Sequence, residues 1–156
     1  MARDVKTKAA YVLGTWFGCG KVPIAPGTAG TAGAIPLYLL LRPHGIWPVA
    51  VAAVVCTLVG VWAANVICDD SKLKDPQLVV IDEVAGVLIT LLVAPFDWQG
   101  ILAAFVLFRI FDQFKPPPAR GAESWPRGWG VMMDDVFAGI WGAVVLFLLV
   151  HFKVVT

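Results

Sequence analysis

Seven charged side chains in this 156-residue sequence have the types and spacing for phosphate chemistry: Asp82, Glu83, Arg109, Asp112, Lys115, Asp134 and Asp135. Asp82 and Glu83 follow Val79, Val80 and Ile81, so they stand inside apolar sequence, where a carboxylate is costly and usually marks a function. Arg109 and Asp112 are three residues apart and share one helix face, which Lys115 continues a turn later. Spacing alone also allows a surface ion pair at that helix end. It equally allows an N-cap with a dipole-favoured neighbour at Asp134 and Asp135. Together these carboxylates, with no histidine beside them, offer hard oxygen ligands that suit Mg²⁺ better than zinc. Magnesium takes one or two protein carboxylates and completes its shell with water and substrate phosphate. Neighbouring cations neutralise phosphate oxygens, arginine through a bidentate fork and lysine as a point charge.

Long apolar stretches must position these groups. The chain is 59% hydrophobic and only 15% charged, with a mean hydropathy of +0.80. Soluble domains carry charge on about a quarter of their positions. Residues 46–68 form 23 consecutive positions without a charge, more than the roughly 20 needed to cross a bilayer core. Residues 78–96, 101–114 and 136–152 are further candidate spans, and residues 31–41 cross only if part of the glycine-rich segment before them joins in. The expectation is an all-α, polytopic membrane helix bundle of four or five spans, one integral membrane domain over residues 1–156.

The connections follow from turn chemistry. Residues 9–17 read as a short helix, and residues 18–31 as too rich in Gly and Pro for regular structure. That segment has glycines that could form an anion nest but lacks the nucleotide-binding G-x-x-x-x-G-K-[ST] pattern. Asp75-Pro76 reads as a helix start, residues 97–100 as a tight turn, and residues 116–133 as an irregular loop before a span capped by Asp134 and Asp135. Arg3, Lys6 and Lys8 precede a stretch broken by Gly14, Gly18, Gly20 and Lys21, which does not match a cleavable signal peptide. Cys19, Cys56 and Cys68 form no C-x-x-C pair and are odd in number, against a disulfide scaffold or a zinc site. A net charge of +1 without a basic cluster gives no sign of nucleic acid as a partner.

In this topology Arg3, Lys6, Lys8, Lys21, Lys72, Lys74, Arg109, Lys115, Arg120 and Arg127 fall on one side, and only Arg42 and Lys153 on the other. Ten cations against two orient the first side to the cytoplasm. Asp69, Asp70, Asp75 and all seven residues named first fall there as well. A small membrane transporter with cytoplasmic-facing carboxylates is the alternative, but it predicts charges near mid-membrane on several helices rather than at one surface. His44 and His151 fall on the far side, which serves a histidine mechanism poorly. The sixth residue after Cys19 is Ala25, so the C-x₅-R of a cysteine phosphatase is absent. So are the Asp-x-Asp of an aspartyl-phosphate mechanism and the Asp-x-x-Asp-Gly of CDP-alcohol transferases. Metal-assisted attack by water is the route left.

Three ordered blocks resemble the bacterial phosphatidylglycerophosphatase A family. The first is Gly18-x-Gly20-x-x-Pro23-x-Ala25-Pro26-Gly27-Thr28-x-Gly30-Thr31, with Thr31 where many members have serine. The second is Asp75-Pro76-x-x-Val79-x-x-Asp82-Glu83-x-x-Gly86. The third is Phe108-Arg109-x-Phe111-Asp112-x-x-Lys115-Pro116-x-Pro118, followed by Asp134-Asp135-x-x-Ala138-Gly139. The resemblance implies a Mg²⁺-dependent phosphatase of the bacterial inner membrane that converts phosphatidylglycerophosphate in the cytoplasmic leaflet to phosphatidylglycerol and inorganic phosphate. On that basis Asp82, Glu83, Asp134 and Asp135 are expected to supply metal ligands and the general base, with Asp112 as a further ligand. Lys21, Thr28, Thr31, Arg109 and Lys115 are expected to bind substrate.

Overall fold

Apolar sequence with few polar groups satisfies its backbone internally, and helices do this within a single segment. The computed structural model describes residues 4–155, so Arg3, counted above among the cations, lies outside the described residues. Among those residues there are helices and turns but no strand: α1 (Val5–Gly14), α2 (Pro26–Gly33), α3 (Ile35–Leu41), α4 (Ile46–Ser71), α5 (Ile81–Leu91), α6 (Trp98–Phe114), α7 (Ala119–Ala122) and α8 (Gly128–His151). Short 3-10 turns occupy Cys19–Lys21 and Arg42–His44.

Two helices, α4 with 26 residues and α8 with 24, are long and apolar enough to cross a membrane. At 1.5 Å per residue, the 11 residues of α5 and 17 of α6 reach only about 16 and 25 Å. The stretch 78–96 is therefore helical over only part of its expected length. Exposed apolar residues line the outer faces at helical spacing. They are Trp47, Val51, Val54, Leu58 and Trp62 on α4, Leu102, Val106 and Ile110 on α6, and Val144, Phe147 and Leu148 on α8. A belt of this extent is what a hydrocarbon-facing surface requires.

Helix α5 lies at the centre and runs parallel to α8. Gly86 faces Gly139, and Thr90 donates from Oγ1 to the Gly139 carbonyl at 3.0 Å. Helix α6 runs the opposite way, setting Phe108 against Gly86. Helix α4 also runs opposite to α8, with Gly60 against Met132 and the Val61 carbonyl against Gly128. Residues 26–41 pass from one end of this group to the other, from Gly27 beside Glu83 to Arg42 stacked 5.7 Å over the Phe96 ring. The first turns of α2, α5 and α8 and the last turns of α4 and α6 consequently meet at one end. His44 and His151 lie at the other.

Three local expectations are corrected. Residues 18–31 do contain regular structure, the 3-10 turn and most of α2, packed closely: Gly20 lies against the Leu78 carbonyl and Gly30 against Val80, with separations no side chain allows. Helix α2 starts after Ala25 in the left-handed region (φ 51), with Pro26 in the first helical position where its fixed φ suits. No helix begins at Asp75-Pro76, because the chain stays non-helical to Val80, whose N–H donates to the Gly14 carbonyl at 2.8 Å. Asp134 and Asp135 do not cap α8. Asn65 Oδ1 accepts from the Gly128 N–H at 2.9 Å, and the helix starts at Gly128 rather than at residue 136, carrying both carboxylates nearly two turns inside. Asp97, in the stretch read as a tight turn, caps α6 and accepts from the Gly100 N–H at 2.8 Å.

Candidate active site

Neighbouring positions at the start of α5 send Asp82 and Glu83 to the common end, and α8 brings Asp135 against them. Carboxylate oxygens of the three lie within 4.8 Å of one another. The close approach depends on Gly86, where a Cβ would lie 2.7 Å from the Asp135 carbonyl oxygen. Asp135 is 3% exposed. The Glu83 N–H donates to Asp82 Oδ1 and the Asp135 N–H to Asp134 Oδ1, each at 3.0 Å, which orients two of the four side chains. Glu83 Oε2 is buried with no hydrogen-bond partner. Three like charges this close, one with an orphaned oxygen, form a donor set that fits a hard divalent cation.

Two cations flank the cluster, each held by a carboxylate. Arg109 Nη1 lies 2.8 Å from Asp112 Oδ2, out of line for a hydrogen bond, and remains a buried donor without an acceptor. Lys115 ends α6 in the left-handed region (φ 44), and its Nζ donates to Asp134 Oδ2 at 2.6 Å and to Glu123 Oε1 at 2.8 Å. Partial burial opposes the Lys115 charge, but the bonds to Asp134 and Glu123 outweigh it and raise its pKa above the ordinary lysine value. Lys115 therefore stays protonated throughout the physiological range. The three clustered carboxylates, Arg109, Asp112, Lys115 and Asp134 share a cavity of about 350 Å³, whose walls also include Pro26, Gly27, Asp75 and Gln77.

The arrangement separates residues that the sequence left equivalent. Asp82, Glu83 and Asp135 converge, whereas Asp112 and Asp134 line the same cavity engaged with Arg109 and Lys115. Lys21 lies in a different groove, with Lys8 and Tyr11. Thr31 is buried, its hydroxyl donating to the Gly27 carbonyl at 2.9 Å, and Thr28 is not in the cavity wall. Sequence reasoning missed Glu123, which sits in a Pro/Gly-rich stretch without periodicity, and the contact made by Gly27. A Cβ at Gly27 would collide with Glu83 Oε1 and lie 3.2 Å from Arg109 Nη1. Its glycine thus admits the first turn of α2, with its positive dipole end, to the carboxylate. Gly27→Ala is expected to displace Glu83 and lower turnover on the order of 10²-fold while the protein still folds, a loss of the size caused by removing one well-placed polar contact. A rate within threefold of the unsubstituted protein would count against this role.

Comparison with known proteins fits this geometry. The family model for phosphatidylglycerophosphatase A matches residues 12–150, which include every cavity residue named above. The chain belongs to the phosphatidylglycerophosphatase A family. Phosphatidylglycerophosphatase A of Escherichia coli (strain K12) is 37% identical over 145 residues, covering 90% of this chain and 83% of its own. The Haemophilus influenzae protein of the same name is 39% identical over 140 residues, covering 88% and 86%. A Bacteroides thetaiotaomicron relative described as a putative phosphatidylinositol-3-phosphatase is 44% identical over 143 residues, covering 86% and 89%. No solved structure matches the chain. The blocks from Gly18 to Gly139 that carry the family pattern are those that fold onto one another here: Gly27 of the first meets Glu83 of the second and Arg109 of the third.

Proposed function

We propose that this family member hydrolyses the terminal phosphomonoester of phosphatidylglycerophosphate to phosphatidylglycerol and inorganic phosphate, with Mg²⁺ as cofactor. We place it as a multi-pass protein of the bacterial cytoplasmic membrane, with four or five spans and the site facing the cytoplasm. The observation that carries the reading is the buried Asp82–Glu83–Asp135 cluster set between Arg109 and Lys115 at one end of an apolar helix bundle. The ten-to-two cation bias supports the sidedness.

In this reading Asp82, Glu83 and Asp135 hold Mg²⁺. The bound ion supplies charge neutralisation at the phosphate and a water of lowered pKa. Arg109 and Lys115 neutralise phosphate oxygens. Their carboxylate partners Asp112 and Asp134 act as positioning residues, holding both cations toward the cavity before substrate arrives. The net reaction forms one bond from a water oxygen to phosphorus and breaks the bond to the headgroup oxygen, which leaves with a proton. A cavity at the headgroup end lets the acyl chains stay in lipid.

The test uses the full chain in native membrane vesicles of known orientation, supplied with phosphatidylglycerophosphate and Mg²⁺. Phosphate release is expected, and EDTA added outside, which does not cross the bilayer, is expected to stop it in inside-out vesicles only. Turnover undiminished by EDTA in both orientations overturns the metal assignment. Phosphatidylinositol 3-phosphate belongs in the same assay, because the Bacteroides relative's name points to the same bond in another headgroup. Hydrolysis of that lipid alone would move the substrate assignment and leave the site assignment standing.

A further inference from the structure

The cavity that holds the carboxylates continues beyond Lys115. A second space of about 260 Å³ adjoins it, with Asp75, Val131 and Asp134 as shared walls. Lys115 bridges the two, bonding Asp134 in the shared wall and Glu123 in the outer space. The outer space brings two further cations, Lys74 and Arg127, and the indole of Trp125. Trp125 meets the Phe137 ring edge-on at 6.2 Å, which ties this segment to α8. Lys74 has no ion-pair partner among the described residues. Arg127 engages Asp69 through Nη2 alone, leaving Nη1 and Nε to donate elsewhere. Lys74, Trp125 and Arg127 have no role in the chemistry above.

A glycerophospholipid whose headgroup ends in a phosphomonoester is a ligand with two anions. Its second phosphate is the diester that joins headgroup to diacylglycerol. The diester lies one headgroup away from the monoester along the lipid, and the outer space adjoins the inner cavity with two cations in its walls. We propose that Lys74 and Arg127 form a subsite for this diester phosphate, an assignment that rests on the inner cavity being the phosphomonoester site. A lysine without a partner supplies a mobile point charge, and the free edge of an arginine suits two non-bridging oxygens. The pair would let the enzyme favour a lipid phosphomonoester over a soluble one, and it places specificity in contacts made equally before and during reaction. Such contacts act on KM rather than kcat.

The experiment measures two quantities for Lys74→Gln and Arg127→Gln in the full chain, in mixed micelles with Mg²⁺. One is KM for phosphatidylglycerophosphate. The other is the inhibition constant of inorganic phosphate, which occupies the inner cavity only. Each substitution is expected to raise the lipid KM about tenfold, the loss of one charge-assisted contact, with kcat and the phosphate constant unchanged within twofold. An unchanged lipid KM overturns the subsite, and so does a parallel rise in the phosphate constant. Asp69→Asn releases Arg127 without removing it and is expected to leave the KM unchanged or lower it. A rise equal to that of Arg127→Gln would assign the effect to the loop's structure and overturn the proposal. Absence of turnover by the unsubstituted chain would instead fall on the functional reading, and the subsite with it.

Discussion

Asp135→Asn should abolish most turnover while leaving the helix bundle at least as stable as before. The substitution conserves volume at a position 3% exposed and removes one of three carboxylates whose oxygens lie within 4.8 Å. Without a cation these charges repel at short range in a medium of low dielectric, so removing one relieves the apo protein. With a cation the same charge is a ligand. The expected loss in rate is on the order of 10³-fold, the scale of losing a group that acts on developing charge. The thermal midpoint in EDTA should stay constant or rise by a few degrees. The upward shift that Mg²⁺ gives the unsubstituted protein, which follows from binding the folded state alone, should largely vanish. Near-normal turnover, or an intact Mg²⁺-dependent shift, would remove Asp135 from the cluster; the same measurements apply to Asp82→Asn.

Gly139→Val, at an uncharged position one turn beyond Asp135, is expected to be nearly as damaging. A Cβ at Gly139 would collide with the Gly86 carbonyl oxygen and come within 3.0 Å of its Cα, so the obstacle is backbone and cannot rotate away. Helices α5 and α8 must then separate, which also costs the Thr90 hydroxyl its 3.0 Å bond to the Gly139 carbonyl. Overpacking of this kind destabilises by about 1–3 kcal/mol. The larger effect is geometric, because Asp82 and Glu83 ride on α5 while Asp135 rides on α8. A displacement of about 1 Å can cost on the order of 10²-fold in rate. Gly121→Ala, where nothing beyond the local backbone lies within 4 Å of the added Cβ, is the control for an open position and should be neutral in both thermal midpoint and turnover. Equal behaviour of the two variants would refute the close-packed seam.

Both predictions turn on contacts that differ in how far the sequence announces them. The apolar runs and the gathering of charge at one end could be read directly, since period, length and charge count are local properties. The start of α8 could not. Its cap comes from Asn65, 63 positions away in the chain, so Asp134 and Asp135 passed for a cap when they belong inside the helix. The glycines of residues 18–31 read as an irregular segment and a candidate anion nest, because sequence shows the missing side chain but not what occupies its place. In the fold that place is taken by Leu78, Val80 and Glu83.

What the sequence determined alone was the kind of molecule: helical, with apolar segments long enough for a bilayer and its chemistry at one end. Helical period and bilayer thickness act on each segment separately and need no partner. What only the tertiary structure decided was which carboxylates lie together. Seven charged residues of similar standing divide into Asp82, Glu83 and Asp135, which converge, and two ion pairs, Asp112 with Arg109 and Asp134 with Lys115. That division depends on glycine-to-backbone separations of a few ångströms between α2, α5 and α8, and interhelical distances of that kind are set by packing, which spacing along a chain does not encode.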